Sequence, residues 1–155
     1  MLQGTEKILV VYASISGSTK RVAEHLQQHL QERLPDAQVD ILDMLVANPE
    51  AFREYDFVFI GASTYDNGLN PFGEVFVVSL AGREPEQMWS GVNFAVFGLG
   101  DSSYLEFCMS PDILKECAES HGGVVHEPLL RIDVLTQEWD EQQAVTGEWA
   151  DNFIA

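Results

Sequence analysis

Apolar positions in this chain follow two alternating patterns, short unbroken runs and stripes that recur every four residues. Lys7–Ala13 (KILVVYA) is an unbroken run, the pattern of a strand covered on both faces. Val22, Leu26, Leu30 and Leu34 follow at a spacing of four and predict a helix that ends before Pro35. Residues 39–42 predict a second short strand and residues 57–62 (FVFIGA) a third, followed by a loop rich in Asp, Asn, Gly and Pro. Phe72, Phe76 and Leu80 predict another helix, against which the β-branched Val75, Val77 and Val78 argue. Residues 92–97 predict a fourth strand, and Ile113, Leu114, Cys117 and Ala118 mark a helix that stops at Gly122 and Gly123. Residues 124–132 hold a fifth strand interrupted by Pro128, and Val145, Trp149 and Phe153 stripe a C-terminal helix. Five strands alternating with helices imply an α/β fold, a doubly wound parallel sheet with helices on both faces.

Composition narrows the class further. The 155 residues are 46% hydrophobic, enough for one domain over 1–155 with a full core, and no repeat or linker divides them. The apolar runs are too short to span a bilayer, and no basic segment leads into an apolar one as a secretory signal would. Cys108 and Cys117 form no CxxC pair, so two free thiols in a reducing cytoplasm are expected. Eight Lys and Arg against 25 Asp and Glu give a net charge of −17, which repels nucleic acid and anionic membrane. A partner with a basic face would be steered in, at a rate that falls as salt rises. The same acidity also serves plain solubility, so charge alone names no partner.

In a doubly wound sheet, ligands sit beyond the carboxyl ends of the strands. After the first strand comes Ser14-Ile15-Ser16-Gly17-Ser18-Thr19, four hydroxyls and a glycine leading into a helix. Free N–H groups and the positive end of the helix dipole suit a phosphate there, and Gly17 lets the backbone bend around it. No Lys precedes Ser18 or Thr19 as GxxxxGK[ST] would require, and GxGxxG is absent. The loop therefore fits a terminal monophosphate better than ATP or NAD, although an ordinary N-cap would use one of these hydroxyls. The third strand leads into Ser63-Thr64-Tyr65-Asp66-Asn67-Gly68-Leu69-Asn70-Pro71, and the fourth into Gly98-Leu99-Gly100-Asp101-Ser102-Ser103-Tyr104 with Phe107 and Cys108 beyond. Tyr65 and Tyr104 could flank a slot for a flat heterocycle, or simply lie on the surface.

These stretches resemble the flavodoxin family. Ser14 to Thr19 is similar to its phosphate loop, and Phe97-Gly98-Leu99-Gly100-Asp101-Ser102-Ser103-Tyr104 through Cys108 to its second ring-binding loop. Leu130-Arg131-Ile132-Asp133 also matches, and the insertion that splits the last strand of long-chain members is missing. The resemblance implies a short-chain fold with strand order 2-1-3-4-5 and non-covalent FMN. The hydroxyls of Ser14, Ser16, Ser18 and Thr19, with the amides of the loop that holds Ile15 and Gly17, would take its phosphate. Tyr65 and Tyr104 would cover the two ring faces, and backbone groups of Leu99, Gly100, Asp101 and Cys108 would bond its pyrimidine edge. Ser63, Thr64, Asp66, Asn67, Gly68 and Phe107 complete the implied cofactor contacts.

Asp66 stands where relatives carry the glycine whose peptide flips toward the flavin N5–H of the semiquinone. A left-handed conformation disfavours a residue with a side chain by about 1–2 kcal/mol. For one electron, ~1.4 kcal/mol corresponds to ~59 mV, so the expected semiquinone is less stabilised by tens of millivolts.

The function implied is a low-potential one-electron carrier, with Asp101 and the surrounding negative field opposing the anionic reduced flavin. Its partners would be basic-faced redox proteins, reductases of the flavodoxin or ferredoxin type as donors and various acceptors, met by a cytoplasmic monomer. Glu84, Glu86, Asp112, Glu116 and Glu119 are candidate docking acids. No residue reads as a catalytic acid, base or nucleophile, and no metal site is expected. His25 and His29 read as surface histidines, Cys117 as buried, and Trp89, Trp139 and Trp149 as packing residues. The rival enzyme reading is a small FMN-dependent quinone or nitro reductase using NAD(P)H, which lacks a dinucleotide-binding unit here. A phospho-receiver would need paired acids after the first strand, which Tyr12-Ala13-Ser14 does not supply. A flavin-free interaction domain would purify colourless.

Overall fold

The computed structural model describes residues 1–65, 68–81 and 88–155. Its strands are β1 (Lys7–Ala13), β2 (Gln38–Asp43), β3 (Phe57–Tyr65), β4 (Gly68–Leu69), β5 (Asn93–Gly100), β6 (Val124–Val125) and β7 (Leu130–Asp133). The helices are α1 (Ser18–Arg33), α2 (Pro71–Leu80), α3 (Ser110–Ser120) and α4 (Trp139–Asp151), with a 3₁₀ helix at Pro49–Glu54. β1 pairs in parallel with β2 and with β3, and β3 pairs in parallel with β5. β6 and β7 both pair in parallel with β5, as two pieces of a single fifth strand. With the short antiparallel β4 set aside, the order is β2-β1-β3-β5 followed by β6 and β7, which is the expected 2-1-3-4-5 when β5 is counted as the fourth strand and β6 with β7 as the fifth.

The unbroken apolar runs are explained by two separate cores. Successive side chains of a strand point to opposite faces. Ile8, Val10 and Tyr12 pack with Leu26 and Leu30 of α1, Trp149 of α4 and the neighbouring Phe153. Leu9, Val11 and Ala13 pack with Phe52 of the 3₁₀ helix, Phe76 and Leu80 of α2, and Leu114 of α3. A strand sandwiched this way can place no polar residue on either side without burying it.

The structure departs from the sequence expectations in instructive places. β3 runs on through Tyr65 and β5 through Gly100, so parts of both presumed loops are paired backbone, with Ser63 opposite Leu99. Thr64 and Tyr65 pair in antiparallel register with Leu69 and Gly68, so part of the second loop is also paired backbone. α2 forms despite its valines, because Asn70 caps it and Pro71 occupies its first turn, while Val75 and Val78 face outward. Pro128 lacks the N–H a ladder needs, and the fifth strand divides around it. The 3₁₀ helix went unforeseen, although Asn48 before Pro49 is a capping signal.

His25 and His29 are not free surface histidines. They are half-buried between α1 and α4, His25 Nε2 3.1 Å from the Gln143 carbonyl and His29 Nε2 2.8 Å from Asp151. Burial lowers the pKa of His25. Among the described residues no cluster of His, Cys, Asp or Glu could hold a metal. Cys117 is half-buried, and desolvation lifts its thiol to about 11. His121 Nδ1 meets the Cys117 carbonyl at 2.7 Å rather than its sulfur, which leaves no nucleophile pair. Trp89 and Trp149 are core residues whose indoles donate to the carbonyls of Pro49 and Pro128. Trp139 packs against the α1–α4 core beneath the Arg21 guanidinium, 3.9 Å from its ring centre. No helix among the described residues is long and apolar enough to cross a membrane.

Candidate functional site

Three loops meet at the carboxyl end of the sheet because β1, β3 and β5 are neighbours there. The first is built around Gly17, whose φ of 96° is open to glycine and strained for other residues. That conformation lets the Gly17 N–H donate back to Ser14 Oγ at 3.0 Å and turns the chain into α1. No side chain caps α1, so its first N–H groups are not claimed from within. The other helices of the described chain carry an acid in their first turn, Glu50, Glu74, Asp112 or Asp140 with Glu141, and α1 carries none. In a protein of charge −17, that exception leaves the positive end of the α1 dipole unopposed. Ser16 and Ser18 hydroxyls stand 3.5 Å apart at the mouth. Thr19 is buried, and its hydroxyl has no partner among the described residues. A buried unpaired hydroxyl is unfavourable by about 1–3 kcal/mol, so an oxygen-rich anion drawn to this loop would relieve it.

The second and third loops are tied rather than open. Asn70, fully buried, donates from Nδ2 to the Ala13 carbonyl and to Ser63 Oγ, both at 2.8 Å. Its Oδ1 accepts from the Phe72 and Gly73 N–H groups, so one side chain joins the ends of β1 and β3 to α2. Ser110, also buried, donates to the Ala62 carbonyl at 2.7 Å and exchanges hydrogen bonds with Thr64. Two glycines make this approach possible. A Cβ on Gly98 would lie 2.4 Å from Ser110 Oγ, and one on Gly100 2.8 Å from the Cys108 backbone. Cys108 itself adopts φ 51°, and its buried thiol is pushed up to about 11 by desolvation.

Together these loops form an open cleft of about 150 Å³ lined by Ser16, Ser18, Ser63, Thr64, Tyr65, Leu99, Gly100, Asp101 and Val134. Eight of these nine residues belong to the set read from sequence, and Val134, from the turn after β7, gave no sequence signal. Ser14, Ile15, Gly17 and Thr19 shape the first loop without lining the cleft, and Gly68 pairs with Tyr65 behind it. Tyr65 is half-exposed at the rim and Tyr104 more exposed, outside the lining. Phe107 is half-buried and Cys108 buried beneath the third loop. Asp66, Asn67 and the docking candidates Glu84 and Glu86 lie outside the described residues. Asp112 is held by Arg131, whose hydrogen bond keeps its carboxyl below the usual range, while Glu116 and Glu119 are exposed. Sequence reasoning missed Asn70 and Ser110 as organisers, although each precedes a proline at a helix start, a capping signal.

Comparison with known proteins bears on the family and the fold. The family model described as Flavodoxin matches residues 10–149. The chain is 33% identical to probable flavodoxin 2 of Bacillus subtilis over 90% of its own length and 89% of that protein's. It is 31% identical to the flavodoxin of Maridesulfovibrio salexigens over 82% and 86% of the two chains. The crystal structure of oxidised Flavodoxin 2 from Bacillus cereus superposes with a TM-score of 0.82 at 28% identity, covering 95% of this chain and 97% of that one. Proteins of this family bind FMN and transfer electrons rather than convert a substrate of their own. The match of sequence along nearly all of the chain and of the overall fold places this protein in the flavodoxin family, among its short-chain members.

Proposed function

We propose that this chain is a low-potential one-electron carrier that holds FMN without a covalent bond in the cleft beyond β1, β3 and β5. The observation that carries the reading is the meeting of unclaimed donors on one side of the cleft with an apolar and backbone-lined slot on the other. Ser16 and Ser18, the α1 amides and the unpartnered Thr19 hydroxyl would take the phosphate. Tyr65 at the rim and the backbone of Leu99 to Asp101 would take the ring, with Ile15, Tyr104, Phe107 and Cys108 completing its surroundings. Asp66, Asn67 and Gly68 would add the contacts from the second loop that the family resemblance implies. When bound, FMN supplies the redox centre, and the protein contributes position, exclusion of water and field.

Asp101 lines the cleft, and the whole molecule carries −17, so added negative charge there is opposed and the working potential is low. The loops at this end also expose Ile15, Tyr65, Tyr104, Leu105, Val134 and Leu135. An apolar rim on an acidic molecule suits brief, charge-steered contact with basic-faced redox proteins, a reductase as donor and various acceptors. Nucleic acid and anionic membrane are not partners on this reading. Residues 1–155 act as one domain, a monomer of the cytoplasm. The test is direct. Protein freed of ligand is titrated with FMN while flavin fluorescence is followed, and saturable quenching with one equivalent is expected. Absence of quenching, or equal affinity for a flavin without phosphate, overturns the reading.

A further inference from the structure

The matched stretch Leu130-Arg131-Ile132-Asp133 lines no part of the cleft, yet its side chains divide sharply between the two sides of β7. Leu130 and Ile132 are buried in the α1–α4 core, so Arg131 and Asp133 point to the other side. There Arg131 donates from Nη1 to the Cys108 carbonyl at 2.6 Å, and its two terminal nitrogens grip Asp112 at 2.6 and 2.8 Å. Asp133 Oδ1 accepts the Ser102 N–H at 3.1 Å and the Leu135 N–H at 3.0 Å, while Oδ2 accepts the Thr136 hydroxyl at 2.8 Å. Ser102 and Cys108 are the two ends of the segment that joins β5 to α3 past the cleft. Two side chains one pleat apart on the same strand thus hold both ends of the loop.

We propose that Arg131 and Asp133 are positioning residues, a two-point clamp from β7 that presets the 102–108 segment for the flat ring before any ligand arrives. The proposal rests on the flavin reading of the cleft and adds to it the residues that shape the ring side. Cys108 needs such a hold. Its φ of 51° is unfavourable for a residue with a Cβ, and the Gly100 backbone lies directly against it. An acid in the first turn of α3 would already suit that helix, so Asp112 does not require Arg131 for its own sake. The guanidinium fork is what links α3, the Cys108 carbonyl and β7 at once. Asp133 stays ionised down to about pH 2, with Ser102 the leading cause, so the second grip persists across the working range.

The experiment compares the wild type with Arg131→Met, Arg131→Lys and Asp133→Asn. Amide hydrogen exchange is read on the ligand-free chains, and fluorescence titrations are run with FMN and with riboflavin. Arg131→Met is expected to speed exchange across 102–108 by about tenfold while β1 and β3 amides keep their rates, and to weaken both flavins by the same factor. Asp133→Asn should act in the same direction at the Ser102 end, and Arg131→Lys should fall between wild type and Arg131→Met, since it keeps charge but not the fork. Unchanged affinities, a loss confined to FMN, or exchange that rises equally in β1 each overturn the clamp. A wild type that binds neither flavin removes the flavin reading itself, and the clamp's purpose with it.

Discussion

The two halves of the cleft are built on opposite principles. On the phosphate side, the loop from Ser14 to Thr19 makes one clear internal side-chain bond, Gly17 N–H to Ser14 Oγ, and leaves the Thr19 hydroxyl unpartnered. On the ring side, nearly every polar group is already engaged: Asn70 with four partners, Ser110 with Ala62 and Thr64, Arg131 with Cys108 and Asp112, Asp133 with Ser102. On the proposed binding mode, the difference amounts to two ways to prepare for one ligand. A charged group is met by holding donors in reserve beside a helix dipole, while a flat ring with few charges is met by fixing backbone into the shape of its edge.

This contrast can be broken most forcefully from the ring side. Asn70→Ala removes a fully buried side chain that caps α2 and ties β1 to β3, and leaves the Ala13 carbonyl without that donor. A loss of about 3 kcal/mol in unfolding free energy is expected, checked by urea denaturation. The phosphate side should respond the other way. Thr19→Val deletes an unpaired buried hydroxyl, so the ligand-free protein should be as stable as wild type or slightly more so. FMN affinity should nevertheless fall by about tenfold, or roughly 1.4 kcal/mol, with riboflavin affinity unchanged, as paired titrations would show. A stability loss in the ligand-free protein would mean the hydroxyl has a structural partner and is not held in reserve.

A smaller effect sharpens the comparison through pH. Asp133 titrates near 2 in the folded protein, lowered first by its Ser102 contact. Its folded pKa is below the ordinary carboxylate value, so its contribution is complete above about pH 4 and fades as pH falls toward 2. The stability difference between wild type and Asp133→Asn should therefore hold constant from neutrality to about pH 4 and then shrink, as denaturant melts across that range would reveal. The smallest effect is Asp66→Gly, which supplies the glycine that the family resemblance implies at this position. It should raise the potential of the first one-electron step by tens of millivolts on redox titration, since ~59 mV is ~1.4 kcal/mol. An unchanged potential would mean that Asp66 adopts the needed conformation at no cost.

Much of the cleft lining was legible in the sequence, for identifiable reasons. Ser16, Ser18, Thr64, Tyr65, Gly100 and Asp101 follow directly on apolar runs, and a strand's carboxyl end is where such sheets bind ligands. Gly98 and Gly100 were legible as glycines, but their reason was not. Only the approach of Ser110 and Cys108 shows that there is no room for a Cβ. Asn70 looked like one more polar loop residue, because nothing local distinguishes a solvated Asn from one buried across three elements. His25 and His29 looked like exposed residues at helical spacing, because the helix that covers them, α4, lies more than a hundred positions away.

By itself the sequence determined the five principal strands and the four α-helices, that the sheet is covered on both faces, and where the hydroxyl-rich turn falls. Those properties depend on periodicity and on neighbours a few residues apart. The tertiary structure alone decided that β3 and β5 run on into the cleft, that Asn70 and Ser110 fasten its walls, and that Arg131 and Asp133 hold the third loop by both ends. Each of those contacts joins residues far apart in the chain, and which distant partner a polar side chain meets is set only when the packed sheet and helices bring them together.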